Sequence, residues 1–194
     1  MKNKLNKSLI KISNFFNENQ KKHCLIGGLA VSLISDPRFT NDLDIAIYVK
    51  NEKEIDEIIK SLSKLNYFPK TIINQTNVNL ISIVRLISKD DSEDFYIDLI
   101  FNSSGIENEI INDSLVLNID ENDINVANLS SLLALKILSV DSERLQDIID
   151  IQKLLKYATK DEMQKTIKLL KLIKKRGFNR QKDLISELNS YINK

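Results

Sequence analysis

The stretch that most limits what this chain can become is Phe95-Tyr96-Ile97-Asp98-Leu99-Ile100-Phe101. It is apolar at both odd and even positions, the pattern of a strand covered on both faces. A carboxylate at its centre costs several kcal/mol or more unless it is paired or bound to metal. Such a strand needs a layer above and below it, and the chain can supply them. Its 194 residues are 42% hydrophobic and 28% charged, enough for a real core.

The other elements follow from periodicity. Leu5, Leu9, Ile12, Phe15 and Phe16 put a helix over 4–17. His23-Cys24-Leu25-Ile26 reads as a short strand, broken by Gly27-Gly28 before a buried helix at Leu29–Ile34 that Asp36-Pro37 ends. Leu43–Val49 is a strand, Glu52–Leu65 a helix with Pro69 marking its exit, and Val78–Ile87 a strand. The polar run Asp90-Asp91-Ser92-Glu93 predicts a hairpin turn into Phe95–Phe101, with shorter strands at Leu115–Ile119 and Ile124–Val126. Beyond Asn128 only helices are expected: Ser130–Val140, Glu143–Tyr157, Asp161–Ile173 and Gln181–Ile192. The fold class is therefore α/β (α+β), a small mixed sheet with flanking helices. We divide it into a core over 1–127 and a helical region over 128–194 that packs on it.

Composition removes several function classes. No apolar run approaches the roughly 20 residues of a membrane span, and the N-terminus has no signal-peptide pattern. A lone cysteine, Cys24, fits a reducing cytoplasm, and with a single histidine, His23, it leaves little for zinc. Both are expected to pack. The net charge of +1 conceals an asymmetry. Residues 151–182 carry eleven Lys or Arg against two acids, a net of +9, leaving 17 cations and 25 acids, −8, elsewhere. A phosphate-bearing partner such as RNA fits that basic segment, and so does a solvated helical face.

Three acids carry the chemistry. Asp42 and Asp44 are two apart at the head of a strand, so their carboxylates share a side. If that strand neighbours the one holding Asp98, three negative charges converge and need a cation. All-oxygen ligation selects a hard ion, most simply Mg²⁺, as two ions. Upstream, Gly27-Gly28 between strand and helix lets phosphate approach free N–H groups at a positive helix end. Together the halves suit a metal–triphosphate complex. Each piece has a plainer reading: a simple turn for Gly-Gly, a capped turn for Asp-x-Asp, and a salt bridge from Asp98 to Arg85.

In order and spacing, Gly27-Gly28-Leu29-Ala30-Val31, Arg38-Phe39-Thr40-Asn41-Asp42-Leu43-Asp44 and Ile97-Asp98-Leu99 resemble the DNA polymerase β nucleotidyltransferase superfamily. The Arg-x-Thr-x-Asp-x-Asp form is closest to the nucleotidyltransferase toxins of abortive-infection and toxin–antitoxin systems. Leu132–Lys136 and Arg144–Ile151 are similar to that group's downstream helices, although Gln146 replaces a frequent basic residue.

The resemblance implies that Gly27 and Gly28 hold nucleotide phosphates. It implies that Asp42, Asp44 and Asp98 bind Mg²⁺, with Asp98 assisting deprotonation of the acceptor. Lys136 would neutralise triphosphate charge, Asp147 would position it or the nucleotide, and Arg38 and Thr40 would orient the metal loop. The plainer readings are a Lys136 that snorkels from its apolar helix and an Asp147 that only pairs with Arg144.

The implied reaction moves a nucleoside monophosphate from an NTP such as ATP to an acceptor hydroxyl, releasing pyrophosphate. The acceptor would be a tRNA 3′ end, reached through 151–182, or a protein side chain, with a cognate antitoxin as a further partner. The rivals are an aminoglycoside- or lincosamide-modifying transferase, a non-catalytic nucleotide- or partner-binding module, and a helical interaction protein with surface acids.

Overall fold

A computed structural model describes residues 2–75, 80–88, 95–141 and 143–192. The proposed polar turn at 90–93 lies outside them. Eight helices and seven strands run in the order α1(Lys2–Glu18), β1(His23–Ile26), α2(Gly27–Ile34), β2(Asp42–Ile47), α3(Glu52–Ser63), β3(Tyr67–Gln75), β4(Leu80–Ser88), β5(Tyr96–Ile100), α4(Glu107–Asn112), β6(Leu115–Ile119), β7(Asn122–Val126), α5(Leu129–Ser139), α6(Leu145–Tyr157), α7(Lys160–Lys175) and α8(Leu184–Ile192) among the described residues. The strands form one mixed sheet in the order β3-β4-β5-β2-β1-β7-β6.

The apolar run reads as expected. β5 is central in its half of the sheet, parallel to β2 on one side and antiparallel to β4 on the other. Ile97 and Leu99 are fully buried, as are Leu43, Ile45 and Ile47 of β2. The β2–β5 register pairs Asp44 with Asp98, and the β4–β5 register pairs Arg85 with Asp98. Because directly paired residues point to the same face, three charged groups stand side by side across three strands.

Two elements differ from expectation. β3 itself was not expected: Pro69 does stand beyond the end of α3, as its reading as a helix exit requires, but it lies within a strand, paired with Leu86 and followed by a register shift. β3 is an edge strand, where a missing N–H can face away from the ladder. The short helix α4 follows a serine pair whose orphan groups are gathered by one acid. Glu107 Oε1 accepts from the Ser103 and Ser104 N–H groups, each at 2.7 Å, and from Ser104 Oγ at 2.9 Å. The glycines also sit differently: α2 opens on Gly27 itself, directly after β1, with no intervening loop.

Two of the helices after residue 128, α5 and α7, begin at side-chain caps. Asn128 Oδ1 accepts from the Ser131 N–H at 2.9 Å to start α5, and Thr159 and Glu162 form a reciprocal capping box at α7. α5 is apolar around most of its girth because it is enclosed: it touches α2, α6, α7 and α8. Leu132, Leu133, Ala134 and Ile137 join the sheet residues in one continuous core. The Ala127 N–H donates to the Leu25 carbonyl at 2.9 Å, fastening the start of this region to β1. Leu133→Ala is expected to cost about 2–5 kcal/mol. It should lower the melting temperature of the whole chain in a single transition followed by circular dichroism. Two separate transitions would contradict the shared core.

Candidate active site

One end of β2 opens into a cavity of about 1000 Å³ lined by β1–α2, β2, β4, β5, α5 and α6 residues. Every residue picked out by the sequence for catalysis or binding lines it: Gly27, Gly28, Arg38, Thr40, Asp42, Asp44, Asp98, Lys136 and Asp147.

Gly27 has φ +68, and a Cβ there would lie 1.9 Å from Asp44 Oδ2. Both the conformation and the space require glycine. At Gly28 a Cβ would meet the Arg38 guanidinium at 2.0 Å and Thr40 Oγ1 at 3.0 Å. The notch opened by the two glycines is thus filled by the Asp44 carboxylate and the Arg38 side chain, and the Gly28 N–H donates to Asp44. The loop carrying Arg38 is tied to α2: the Arg38 N–H donates to Ser32 Oγ, which donates back to the Arg38 carbonyl, both at 2.9 Å.

The acids differ in how they are balanced. Asp98, only 7% exposed, is gripped by Arg85, whose Nε and Nη2 donate to its two oxygens at 2.8 and 2.6 Å. The Arg85 guanidinium also lies 4.9 Å from the centre of the Tyr96 ring. So Asp98 forms the salt bridge and lines the cavity as well. Asp44 has no cationic partner in contact among the described residues. Burial first, then the charges of Asp98 and Asp42, push its carboxyl up to about 7. Asp42 is raised as well, chiefly by burial.

On the opposite wall, Lys136 Nζ lies 2.5 Å from Asp147 Oδ1 and 2.8 Å from Asp150 Oδ2, so it points into the cavity rather than to an edge. Arg144 reaches Asp147 only at 3.8 Å, and Ser139 Oγ donates to Asp147 at 2.9 Å. Asp150 is the residue whose weight the sequence concealed. It is wholly buried, and it receives Arg38 Nη2 at 3.1 Å and Gln146 Nε2 at 3.2 Å in addition to Lys136. Arg38 Nε also sits 2.9 Å from Asp150 Oδ1, although its N–H is not aimed there. One buried acid therefore positions two cavity cations from β2's approach loop and from α5. Its signal was the i, i+3 pair Asp147/Asp150 on the same helix as the buried Ile151 and Leu154.

His23 and Cys24 are both buried in β1. Desolvation lowers the His23 pKa and raises the Cys24 thiol to about 12. Neither lines the cavity.

The donor set suits a hard divalent cation: Asp42 and Asp44 are crowded, poorly compensated carboxylates, and Asp98 is the third oxygen donor beside them. Among the described residues, however, no three such groups already surround a common point. Both Asp98 oxygens are held by Arg85, so Asp98 can join Asp42 and Asp44 once one oxygen leaves the guanidinium.

Asp44 gives a pH test. Its pKa is raised on folding from 3.8 to about 7, so the folded chain binds the proton more tightly than the unfolded one. The stability this confers is complete below pH about 4 and disappears as pH rises through about 7. In metal-free buffer, Asp44→Asn, which stays neutral and keeps an acceptor for the Gly28 N–H, should melt above the parent at pH 8. The gap should shrink toward pH 4.5. A gap that does not change with pH would contradict an uncompensated Asp44.

The sequence profile described as nucleotidyl transferase AbiEii toxin, type IV toxin–antitoxin system, matches residues 16–191. No curated protein matches the chain in sequence. Among solved structures, an antigenic nucleotidyltransferase-like protein from Paracoccidioides brasiliensis superposes with a TM-score of 0.56 at 20% identity, over 95% of this chain and 92% of that one. A putative nucleotidyltransferase from H. pylori gives a TM-score of 0.48 at 18% identity, over 97% and 89%. The first of these supports the nucleotidyltransferase fold. With the profile matched from α1 through α8, this chain belongs to the AbiEii nucleotidyl transferase toxin family of type IV toxin–antitoxin systems.

Proposed function

We propose that the chain transfers a nucleoside monophosphate from an NTP to an acceptor hydroxyl in a reaction that depends on Mg²⁺. The acceptor oxygen bonds to the α-phosphorus, the bond to pyrophosphate breaks, and the hydroxyl proton leaves to a carboxylate. The observation that carries this reading is the register of Asp44 opposite Asp98 on parallel neighbouring strands, with Asp42 two residues away, at one cavity. Asp42, Asp44 and Asp98 would hold the metal, which when bound offsets the charge of the triphosphate and the attacking oxygen.

The chain's own groups do the rest. Asp98 takes the acceptor proton through the oxygen that Arg85 releases. Lys136, braced by Asp147 and Asp150, presents positive charge to the triphosphate, and Arg38 presents a second cation beside the glycine bend. Gly27 and Gly28 act by leaving room for the Asp44 carboxylate and the Arg38 guanidinium at the positions these roles require. Thr40 shapes the loop to the metal, its Oγ1 lying 3.4 Å from the Asp42 N–H.

For the acceptor we favour a tRNA 3′ end. Lys165, Lys168, Lys171, Lys174 and Lys175 are exposed on α7, a continuous basic helix suited to a phosphate backbone. A cytoplasmic site of action follows from such an acceptor; no helix among the described residues is long and apolar enough to cross a membrane. A cognate antitoxin completes the system.

The deciding assay is pyrophosphate release from each of the four NTPs with total tRNA. Release should require Mg²⁺, stop on chelation, and fall to background for Asp44→Ala and for Asp98→Ala. Lys136→Ala should weaken apparent NTP affinity by about 10–100-fold, the loss of a charged hydrogen bond. Release that persists without divalent metal, or in Asp98→Ala, would overturn the reading. Neutralising Lys168, Lys171, Lys174 and Lys175 together should raise KM for tRNA and leave KM for NTP unchanged. Equal tRNA use by that variant would remove tRNA as the acceptor bound through α7.

A further inference from the structure

The cations along the cavity are not equally engaged. Arg85 holds Asp98, Lys136 holds Asp147 and Asp150, and Arg38 holds Asp150. Arg144 and Arg180, at the α6 side, are different. Arg144 is 61% exposed in its side chain, and its guanidinium comes no closer than 3.8 Å to Asp141 or Asp147. Arg180 makes no hydrogen bond or ion pair among the described residues. Glu143 lies on the same wall, and no ion pair joins it to either arginine among the described residues. Desolvation, and then the charge of Arg144, pull the Arg180 guanidinium below its ordinary range, as expected of two like charges held near one another.

Arg180 does not reach this wall by default. It lies in the segment between α7 and α8, which is fastened on both sides. Before it, Arg176 donates to both Glu109 oxygens at 2.9 and 2.7 Å and to the Gly105 carbonyl. Phe178 packs on Gly105, where a Cβ would stand 2.5 Å from the ring. After it, Lys182 donates to the carbonyls of Leu138 and Val140 at the end of α5, and Asn179 Nδ2 closes the segment on the Lys182 carbonyl at 2.8 Å. Between these anchors Arg180 and Gln181 both adopt left-handed backbone, φ +51 and +59, a conformation that such residues seldom take without support. The fold thus fixes, on the cavity wall that Arg144 also lines, a guanidinium with no partner among the described residues and within electrostatic reach of Arg144.

We propose that Arg144 and Arg180 form a phosphate-binding pair on the cavity wall. Two guanidiniums with free donors match phosphate oxygens, which can separate their charges and satisfy both forks. The phosphate has two possible sources, the far end of the NTP triphosphate or the backbone of an RNA acceptor. Either disfavours a cationic small molecule in that position. This inference rests on the nucleotidyl-transfer reading but is tested by binding alone, so it stands or falls separately from turnover.

The test is fluorescence or calorimetric binding of two probes, pyrophosphate and an RNA hairpin with a free single-stranded 3′ end. The parent is compared with the double variant Arg144→Gln/Arg180→Gln, after checking that their thermal melts coincide. A double variant with exposed Lys53→Gln and Lys60→Gln on α3 controls for net charge. The pair is expected to contribute at least about a tenfold loss on removal. Loss for pyrophosphate alone assigns the nucleotide tail. Loss for RNA alone, with a salt slope shallower by about one to two, assigns the acceptor backbone. If neither probe is weakened, or if the α3 control loses as much as the Arg144/Arg180 variant, the pair is not a phosphate site. Should the double variant melt early, Arg144→Lys/Arg180→Lys decides: it keeps charge without the fork and should recover binding only in part.

Discussion

The structure turns on one unbalanced group. Asp44 stands on a central strand, pressed into the notch that Gly27 leaves, with Asp98 beside it and Asp42 two residues away. Three other acids have found cations: Asp98 has Arg85, Asp147 has Lys136, and Asp150 has Lys136 and Arg38. Asp44 has a backbone N–H and two like charges for neighbours, with the Lys136 charge a smaller opposing influence. A fold that tolerates this arrangement holds a place for positive charge from outside. The glycine pair follows from the same constraint, because any side chain at Gly27 or Gly28 would displace Asp44 or Arg38.

The cavity consequently carries two kinds of unmet charge. Asp42 and Asp44 are raised by burial, while Arg180 has no partner among the described residues and Arg144 reaches Asp147 only at 3.8 Å. A metal-bound triphosphate carries both complementary charges. Asp150 holds Arg38 and Lys136 in place. Membership of the AbiEii nucleotidyl transferase toxin family is in keeping with that layout, and the layout assigns work to residues such as Arg85 and Arg180 that the motifs leave unmentioned.

Much of this was legible in the amino-acid order. An acid inside a run that is otherwise apolar, and a second acid pair at a strand head, were readable as a site that would assemble if the two strands were neighbours, and the β2–β5 register meets that condition. Helices with clean 3.6-residue spacing and polar caps were readable too, to within a few residues at their ends. The misses have physical causes. β3 went unread because a proline argues against a strand, yet an edge strand has one side on which the absent N–H of Pro69 does no harm. α4 is six residues long, too short for periodicity to register, and its signal lies in Glu107 gathering two serine N–H groups. Arg85 was visible as a partner for Asp98, but nothing local said that it would engage both oxygens. The clamp around Asp150 joins residues more than 100 positions apart, and the Arg180 loop owes its shape to Gly105 and to the end of α5.

The most direct measurement is anomalous scattering from crystals grown with Mn²⁺ and a non-hydrolysable NTP. This account expects an anomalous peak ligated by Asp42, Asp44 and one oxygen of Asp98, with Arg85 retaining the other oxygen alone. A peak elsewhere, or Asp98 still gripped by Arg85 through both oxygens while nucleotide is bound, would contradict it.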